Sequence, residues 1–225
     1  MRLAALATIA ATLFGSIALG SLPAAAAFIP LNSNIDFQGS VIGIGGVNIW
    51  DSTGADFRTN GAAGVGTPGT IGMNTANGGF NVFNPFTCPA SSVGGCGTIK
   101  DLLSYVPNSF TVTSPSLPVA NFITFSQGAN NATFTMTSFQ QTNVDPAGPQ
   151  LGTVILSGFG VLTLNGFDPT LGIYTITAQG NGATTFSGTI IAQGVAAPEP
   201  ASMLLMGVGL AGLVMARRRP ARTIA

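Results

Sequence analysis

The second half of the chain alternates apolar and polar residues with the two-residue period of β-strands. In residues 131–139, Phe134 and Met136 are expected on one face of a strand. The other face is expected to carry three threonines: Thr133, Thr135 and Thr137. The same pattern predicts strands around 123–125 and at 152–164, 172–179 and 183–193, with turns at 145–149, 165–170 and 180–182. Short strands separated by such turns predict an all-β fold, either an antiparallel β-sandwich or a barrel-like sheet.

The first half has a weaker pattern. Residues 35–50 are predicted to hold two short strands, and the Gly/Thr/Asn-rich stretch 60–79 to be a long surface loop. Residues 98–101, Thr-Ile-Lys-Asp, resemble a helix capping box, and apolar residues follow at helical spacing as far as Val106. A short helical turn is therefore predicted there, with a strand start as the alternative. In the second half, Gly158 and Gly160 leave room for a bulge or bend.

Residues 1–27 have the layout of a secretory signal peptide. Arg2 precedes an apolar run, and Ala25 and Ala27 provide the small residues that a signal peptidase requires. Cleavage after Ala27 would make Phe28 the first residue of the exported chain. The alternative is an uncleaved membrane anchor.

The C-terminal region combines an apolar stretch with a cationic end. Residues 201–216 are apolar or glycine except for Ser202, and at about 1.5 Å per residue they would span ~24 Å as a helix. The bilayer core is ~30 Å thick, so a single transmembrane helix here needs local thinning and snorkelling arginines. Arginine clusters stay on the cytoplasmic side. The cluster that follows the stretch, at Arg217, Arg218 and Arg219, predicts a cytoplasmic tail at 220–225 and an exported domain, 28–197, that faces outward.

A Pro-Glu-Pro triplet, Pro198, Glu199 and Pro200, directly precedes this apolar stretch. The triplet, the short Gly-rich span and the arginines together (residues 198–219) resemble the PEP-CTERM sorting signal of bacterial envelope proteins. The resemblance implies recognition and processing by an exosortase-type membrane protease. The alternative is a plain C-terminal anchor. The same tail is sometimes labelled an ice-binding C-terminal domain, a label that follows the tail and indicates nothing about ice.

Part of the exported domain also resembles segments found ahead of PEP-CTERM tails. The stretch from Gly160 to about Thr189 and the earlier sequences TIKDL and NFITF are similar to such segments in surface and matrix proteins. The resemblance implies a β-rich fold, in agreement with the strand pattern. It implies exopolysaccharide as a candidate partner.

Charge is sparse, at 6% of residues, and unevenly placed. Residues 28–197 hold six acidic and two basic residues, a net charge of −4. Nucleic-acid binding requires clustered Lys and Arg that neutralise phosphates. The exported domain is therefore not expected to bind nucleic acid.

The two cysteines, Cys88 and Cys96, fit an oxidising compartment. Export favours a disulfide between them. Because the ring is small, the loop-entropy model gives roughly 2–3 kcal/mol of stabilisation.

The sequence contains few residues suited to enzymatic catalysis. The absence of histidine removes the commonest general base and zinc ligand. Asp145 and Asp168 each precede a proline in a turn, where aspartate usually caps its own backbone. Asp51 and Asp56 could offer oxygens to calcium but lack EF-hand spacing. The sequence therefore predicts no enzyme, no metal and no cofactor.

Two functional hypotheses remain. The first is a structural protein of the cell surface or of a biofilm and exopolysaccharide matrix, anchored and then processed by an exosortase. The second is a carbohydrate-binding or adhesive module, for which Trp50, Tyr105 and Tyr174 are the candidate stacking rings. Ice binding by the Thr-x-Thr repeats is not expected, because ice-binding arrays repeat with a fixed period and these do not.

Overall fold

The computed structural model describes residues 26–58, 64–88, 95–144, 152–179 and 184–194. The predicted signal peptide up to Ala25, the Pro198–Pro200 triplet, the apolar span 201–216 and the arginines that follow it lie outside the described residues, as do the turns at 145–149 and 180–182. Among the described residues, no helix is long and apolar enough to cross a bilayer.

Eight of the described strands close into an antiparallel barrel. In barrel order they are β11 (Thr153–Leu164), β13 (Thr170–Gln179), β14 (Thr184–Ala192), β2 (Asn34–Gly43), β4 (Gly69–Ala76), β5 (Gly97–Ile99), β8 (Val119–Gln127) and β9 (Asn130–Met136). β9 pairs with β11 from Gly160↔Met136 to Leu164↔Ala132, and this pairing closes the ring. Of the two predicted arrangements, the structure has the barrel-like one.

The other described elements extend this barrel or cover it. They are β1 (Ala27–Phe28), β3 (Ala55–Arg58), β6 (Ser104–Tyr105), β7 (Val112–Ser114), β10 (Gln140–Val144), β12 (Phe167–Asp168) and two short 3-10 helices, Gly78–Val82 and Pro85–Thr87. β10 pairs with the first half of β11, and β9 with its second half. Two strands therefore share one edge of β11, and the chain bulges where one gives way to the other.

Aromatic rings fill the inside of the barrel. Seven of them form a continuous series of edge-to-face contacts with centroid separations of 5.2–6.3 Å: Phe125, Phe37, Phe186, Phe57, Phe122, Tyr174 and Phe134. An eight-stranded barrel has an interior just wide enough for side chains to fill. The described interior is therefore a packed core, and the surfaces available to a ligand lie on the outside of the barrel.

Glycines on the barrel wall make room for these rings. A Cβ atom at Gly188 would lie 2.5 Å from the Phe37 ring, and one at Gly39 would lie 2.8 Å from the Phe186 ring. Small and large residues thus alternate across facing positions of the interior. The many glycines that suggested turns in the sequence serve, at these positions, the packing of phenylalanine.

The strand predictions for the second half are confirmed. Phe134 and Met136 are buried, while Thr133 and Thr135 are partly exposed and Thr137 is exposed. Residues 165–166 form the predicted turn between β11 and β13. The expected irregularity beside Gly158 and Gly160 is present, but it lies in the neighbouring segment 137–139 rather than in β11 itself.

Two predictions for the first half are wrong. Residues 35–50 contain a single strand, β2 (Asn34–Gly43), rather than two short ones. The stretch 60–79 contains β4, which is partly buried in the barrel wall. At Thr98 the chain continues β5 instead of forming a helical turn, so the strand alternative is confirmed.

The error at β4 has a physical cause. Its residues, GTIGMNTA, contain two glycines and no aromatic side chain, and Ile71 is their one β-branched aliphatic residue, so the strand signal is weak. A Cβ atom at Gly69 would lie 2.4 Å from the backbone carbonyl of Phe57. Glycine is required there by a close approach of two chain segments that are distant in sequence, so local propensity could not reveal it.

Two buried phenols predict how stability depends on alkaline pH. Burial raises the pKa of both Tyr105 and Tyr174 well above the ordinary value of 10.0. Above about pH 10 the unfolded chain loses two protons that the folded chain keeps, so stability falls as pH rises. The expected slope approaches about 2.7 kcal/mol per pH unit, measured by chemical denaturation at increasing pH.

Single replacements provide the control for this slope. Tyr105→Phe and Tyr174→Phe should each remove about half of it, because each deletes one of the two titrating groups. Ultraviolet absorbance should show the phenols ionising together with unfolding. Ionisation of either phenol in the folded protein near pH 10 would contradict the prediction.

Candidate functional site

The two ends of the described body lie together at one end of the barrel. Gly194, which follows β14, packs so closely on the start of the chain that a Cβ atom there would lie 2.7 Å from the Leu31 nitrogen and 2.9 Å from the Ile29 carbonyl oxygen. The N–H of Ile29 donates to the Thr170 hydroxyl at 2.9 Å. The segments before Ala26 and after Gly194 therefore leave the body at the same end.

Ala27, the last residue of the predicted signal peptide, lies in β1. This two-residue strand pairs in parallel with β12, Ala27 with Phe167 and Phe28 with Asp168. Ala27 is exposed. Its predicted partner at the cleavage site, Ala25, lies outside the described residues.

The predicted disulfide between Cys88 and Cys96 is present. Backbone hydrogen bonds hold both cysteines to the barrel wall: the Met73 N–H donates to the Cys88 carbonyl at 2.9 Å, and the Ser126 N–H to the Cys96 carbonyl at 2.7 Å. The bridge thus fastens the connection between β4 and β5.

The acidic residues have structural partners. Asp56 is fully buried and forms an ion pair with the Arg58 Nε atom at 2.9 Å. Asp101 accepts the N–H groups of Phe57 at 2.8 Å and Gly66 at 2.7 Å. Burial raises the pKa of Asp101, and these two hydrogen bonds oppose the rise. The residues that suggested a helix cap thus hold two other segments in place.

The remaining acidic candidates are scattered. Asp51 is exposed in a turn, and Asp168 lies in β12 at the end of the barrel where the chain enters and leaves. Asp145 lies outside the described residues. Within the described ranges, no three His, Cys, Asp or Glu side chains come together as a metal site would require.

A polar face covers the outside of β13, β14, β2 and β4. Two adjoining cavities of about 350 and 290 Å³ lie on it and share Thr177 and Ser187. Its outward side chains are Asp36, Gln38, Ser40, Asn74, Thr175, Thr177, Gln179, Thr185, Ser187 and Thr189. Asp36 is the one charged residue among them. The polar face is therefore almost entirely composed of hydroxyls and amides.

Strand register sets these groups in rows. Thr177 lies opposite Ser187, which lies opposite Gln38 on the next strand. Asp36 accepts the Thr75 hydroxyl at 2.5 Å and the Asn34 amide at 3.3 Å. The side chains of Thr177 and Ser187 bond to no other group in the described part of the chain. They remain available to a polar ligand.

A second feature of the outer surface is a row of five threonines around the opposite side of the barrel. Register places Thr70, Thr98, Thr124, Thr133 and Thr163 opposite one another on β4, β5, β8, β9 and β11. The hydroxyls of Thr98 and Thr124 are 2.7 Å apart, and Thr133 pairs likewise with Thr163. The sequence reveals the repeats along single strands but not this row, which runs across strands.

The aromatic residues proposed as sugar platforms are part of the fold. Tyr105 and Tyr174 are buried in the core, and the Tyr174 hydroxyl donates to Met136 Sδ at 2.9 Å. Trp50 packs on the core so tightly that a Cβ atom at Gly152 would lie 2.5 Å from its ring. Among the described residues the large exposed rings are phenylalanines, and no local sequence pattern distinguishes them from the core phenylalanines.

The described residues form an all-β barrel, and a sorting motif follows them in the sequence. Residues 196–219 match the PEP-CTERM protein-sorting motif. That motif indicates exosortase-dependent export, membrane-associated sorting to the surface, and processing by the exosortase, a membrane protein. No curated protein and no solved structure matches the chain.

Proposed function

We propose that this chain is a structural protein of the cell surface or of an extracellular exopolysaccharide matrix, with no enzymatic activity. Its tail holds the barrel outside the membrane until an exosortase processes it. The observation that carries this proposal is the sorting motif at residues 196–219, which begins two residues after Gly194, the last described residue.

The geometry of the two ends supports this role. Because both segments leave the body at one end, the same end of the barrel faces the membrane during export and anchoring. Seven residues from Gly194 to Ala201 reach at most about 25 Å when extended. The barrel is thus tethered close to the bilayer until the tail is processed, and its sides remain exposed to the surroundings.

The polar face provides a surface suited to a hydrated polymer. Its hydroxyl and amide groups match the hydrogen-bonding groups of polysaccharides, and its single acidic residue already accepts two hydrogen bonds. The filled core makes the body a rigid carrier of this surface. Association with exopolysaccharide through the polar face is the contact that we propose for the matrix.

Fractionation of the tagged full chain in an exosortase-containing host tests the proposal. With Pro198, Glu199 and Pro200 intact, the mature protein should lose the mass of its tail and move to the surface or polysaccharide fraction. With all three replaced by alanine, it should keep its full mass and stay in the membrane fraction. Intact mass spectrometry reads the first difference, and immunoblotting of fractions the second.

The matched control replaces Thr223 and Ile224, which lie beyond the matched motif, by alanine. This variant should be processed and sorted like the unmodified chain. Equal processing of the alanine-triplet variant would refute exosortase sorting. Correct sorting without any recovery in the polysaccharide fraction would refute the matrix role alone.

A carbohydrate-binding module with a defined ligand site is the second candidate. The two cavities of the polar face favour it, since a purely structural surface does not need concave sites. The candidates differ in one measurable respect. A binding module recognises particular sugars, whereas a structural protein associates with its matrix through many weak contacts.

A further inference from the structure

Two exposed phenylalanines flank a cleft on the side of the barrel. Phe110, in the loop before β7, is 73% exposed, and Phe159, in the middle of β11, is 63% exposed. Both side chains line a cavity of about 250 Å³, referred to below as the Phe110–Phe159 cleft. Large apolar side chains that are this exposed and adjacent commonly mark a binding surface.

The backbone of Phe159 is held in place by the bulge between β9 and β10. Its N–H donates to the Ser138 hydroxyl oxygen at 2.7 Å. Its carbonyl accepts the N–H groups of Thr137 at 2.9 Å and Ser138 at 3.1 Å, and the Thr137 hydroxyl at 3.2 Å. Bulges of this kind redirect a side chain, and a fixed backbone lowers the entropy lost when the ring meets a ligand.

Gly158 also lines the cleft, and its backbone is closely packed. A Cβ atom there would lie 2.2 Å from the Ser138 carbonyl oxygen and 2.9 Å from the Tyr174 ring. Gln140 also lines the cleft, and its amide bonds to no other group in the described part of the chain. The Ser138 hydroxyl accepts from Phe159 and keeps its own proton free to donate. The cleft therefore combines apolar walls with unused polar groups.

These features specify the chemistry of the ligand. No charged side chain is among the described residues that line the cleft, so an uncharged ligand fits best. Phenyl rings pack on flat apolar faces, while Gln140 and Ser138 offer hydrogen bonds to hydroxyls at a ring edge. The cavity is slightly smaller than the ~300 Å³ at which pockets for drug-sized molecules begin. A single pyranose unit has this size and this division into apolar face and polar edge.

A bound peptide strand fits less well. The free edge of β10 beside the cleft is already satisfied, because the Gln141 N–H donates to the Ser109 carbonyl at 2.9 Å and the Asn143 N–H to the Asn108 side chain at 2.8 Å. Addition of a strand needs an edge with unpaired backbone groups.

We propose that the Phe110–Phe159 cleft binds one pyranose unit of a neutral polysaccharide by stacking on the two phenyl rings. This inference rests on the proposed association with exopolysaccharide, to which it adds the site and the class of sugar. Gln140 and Ser138 orient the sugar by hydrogen bonds to its hydroxyls.

Calorimetric titration of the full chain tests this site, in a detergent without a sugar head group. The probes are the neutral exopolysaccharide fraction of the host, cellohexaose and a β-1,4-linked N-acetylglucosamine hexamer. The unmodified chain should bind at least one of them. Phe110→Ala and Phe159→Ala should each weaken that binding by about ten-fold, the scale of one lost aromatic stacking contact. Phe159→Tyr should bind like the unmodified chain.

The matched control is Phe86→Ala, which removes a phenyl ring that is 97% exposed outside the cleft. It should leave binding unchanged. Absence of binding to all three probes, or equal binding by the alanine variants, would overturn the proposal. Binding lost in Thr177→Ala instead would place the polysaccharide on the polar face, which refutes the cleft while the proposed matrix role stands.

Discussion

Replacement of Asp101 by alanine is expected to lower the free energy of unfolding by about 3 kcal/mol. The carboxylate accepts the N–H groups of Phe57 and Gly66, which belong to segments 44 and 35 residues away in sequence. In Asp101→Ala the buried Phe57 N–H has no acceptor, which costs about 1–3 kcal/mol. The N–H of Gly66, an exposed residue, loses a bond to a charged group that water replaces only in part. Burial of the Asp101 carboxylate is itself unfavourable and raises its pKa. Removal of this buried carboxylate therefore offsets part of the cost.

Two further variants separate this cause from a general effect of charge. Asp101→Asn keeps one side-chain oxygen as an acceptor and should lose less stability than Asp101→Ala. Asp51→Ala removes a carboxylate from an exposed turn and should change stability by less than about 0.5 kcal/mol. Chemical denaturation at neutral pH gives the three values. Equal stability of Asp101→Ala and the unmodified chain would mean that other groups or water satisfy the two donors.

Replacement of Gly160 by valine is expected to cost about 3 kcal/mol or more, because the core has no room for a side chain there. A Cβ atom at this position would lie 2.3 Å from the Thr135 carbonyl oxygen and 2.4 Å from the Phe134 ring. The ring could move, but the carbonyl belongs to β9, whose pairing with β11 closes the barrel. The substitution therefore forces the closing pair of strands apart.

Gly64 provides the control, since a Cβ atom there meets no atom within 4 Å. Gly64→Val should change the free energy of unfolding by less than about 0.5 kcal/mol. The two variants add the same side chain, so their difference in denaturation midpoint isolates the effect of packing. If Gly160→Val were as stable as Gly64→Val, the pairing of β9 with β11 would not be as close as described.

The local sequence pattern predicted the strands of the second half because these strands pair with strands that are close to them in the sequence. β11, β13 and β14 alternate apolar and polar residues, and consecutive strands pair with each other. When neighbouring strands are joined as hairpins, the local sequence is sufficient to predict them. β4 was not predicted because its burial depends on contacts with Phe57 and with the disulfide-linked segment at Cys88. The residues of β4 themselves do not indicate these contacts.

The candidate binding surfaces were predictable in type only. The alternation in residues 131–139 predicted an outer face of threonines, and export favoured the disulfide. The sequence ranked Trp50 and the two tyrosines as sugar platforms, because these residues are enriched at binding surfaces. It could not reveal that the tyrosines are buried, nor that Phe159 of β11 is largely exposed.

The sequence by itself carried the sorting motif that indicates export, and it determined that the body is built of antiparallel strands, because sorting motifs and strand periodicity are carried by contiguous residues. Only the tertiary structure decided that the sheet closes, that glycines face phenyl rings, that threonines form a row across strands, and that Phe110 and Phe159 share a cleft. Each of these depends on the register between segments far apart in the chain. A shift of one residue in that register would turn every side chain to the opposite face.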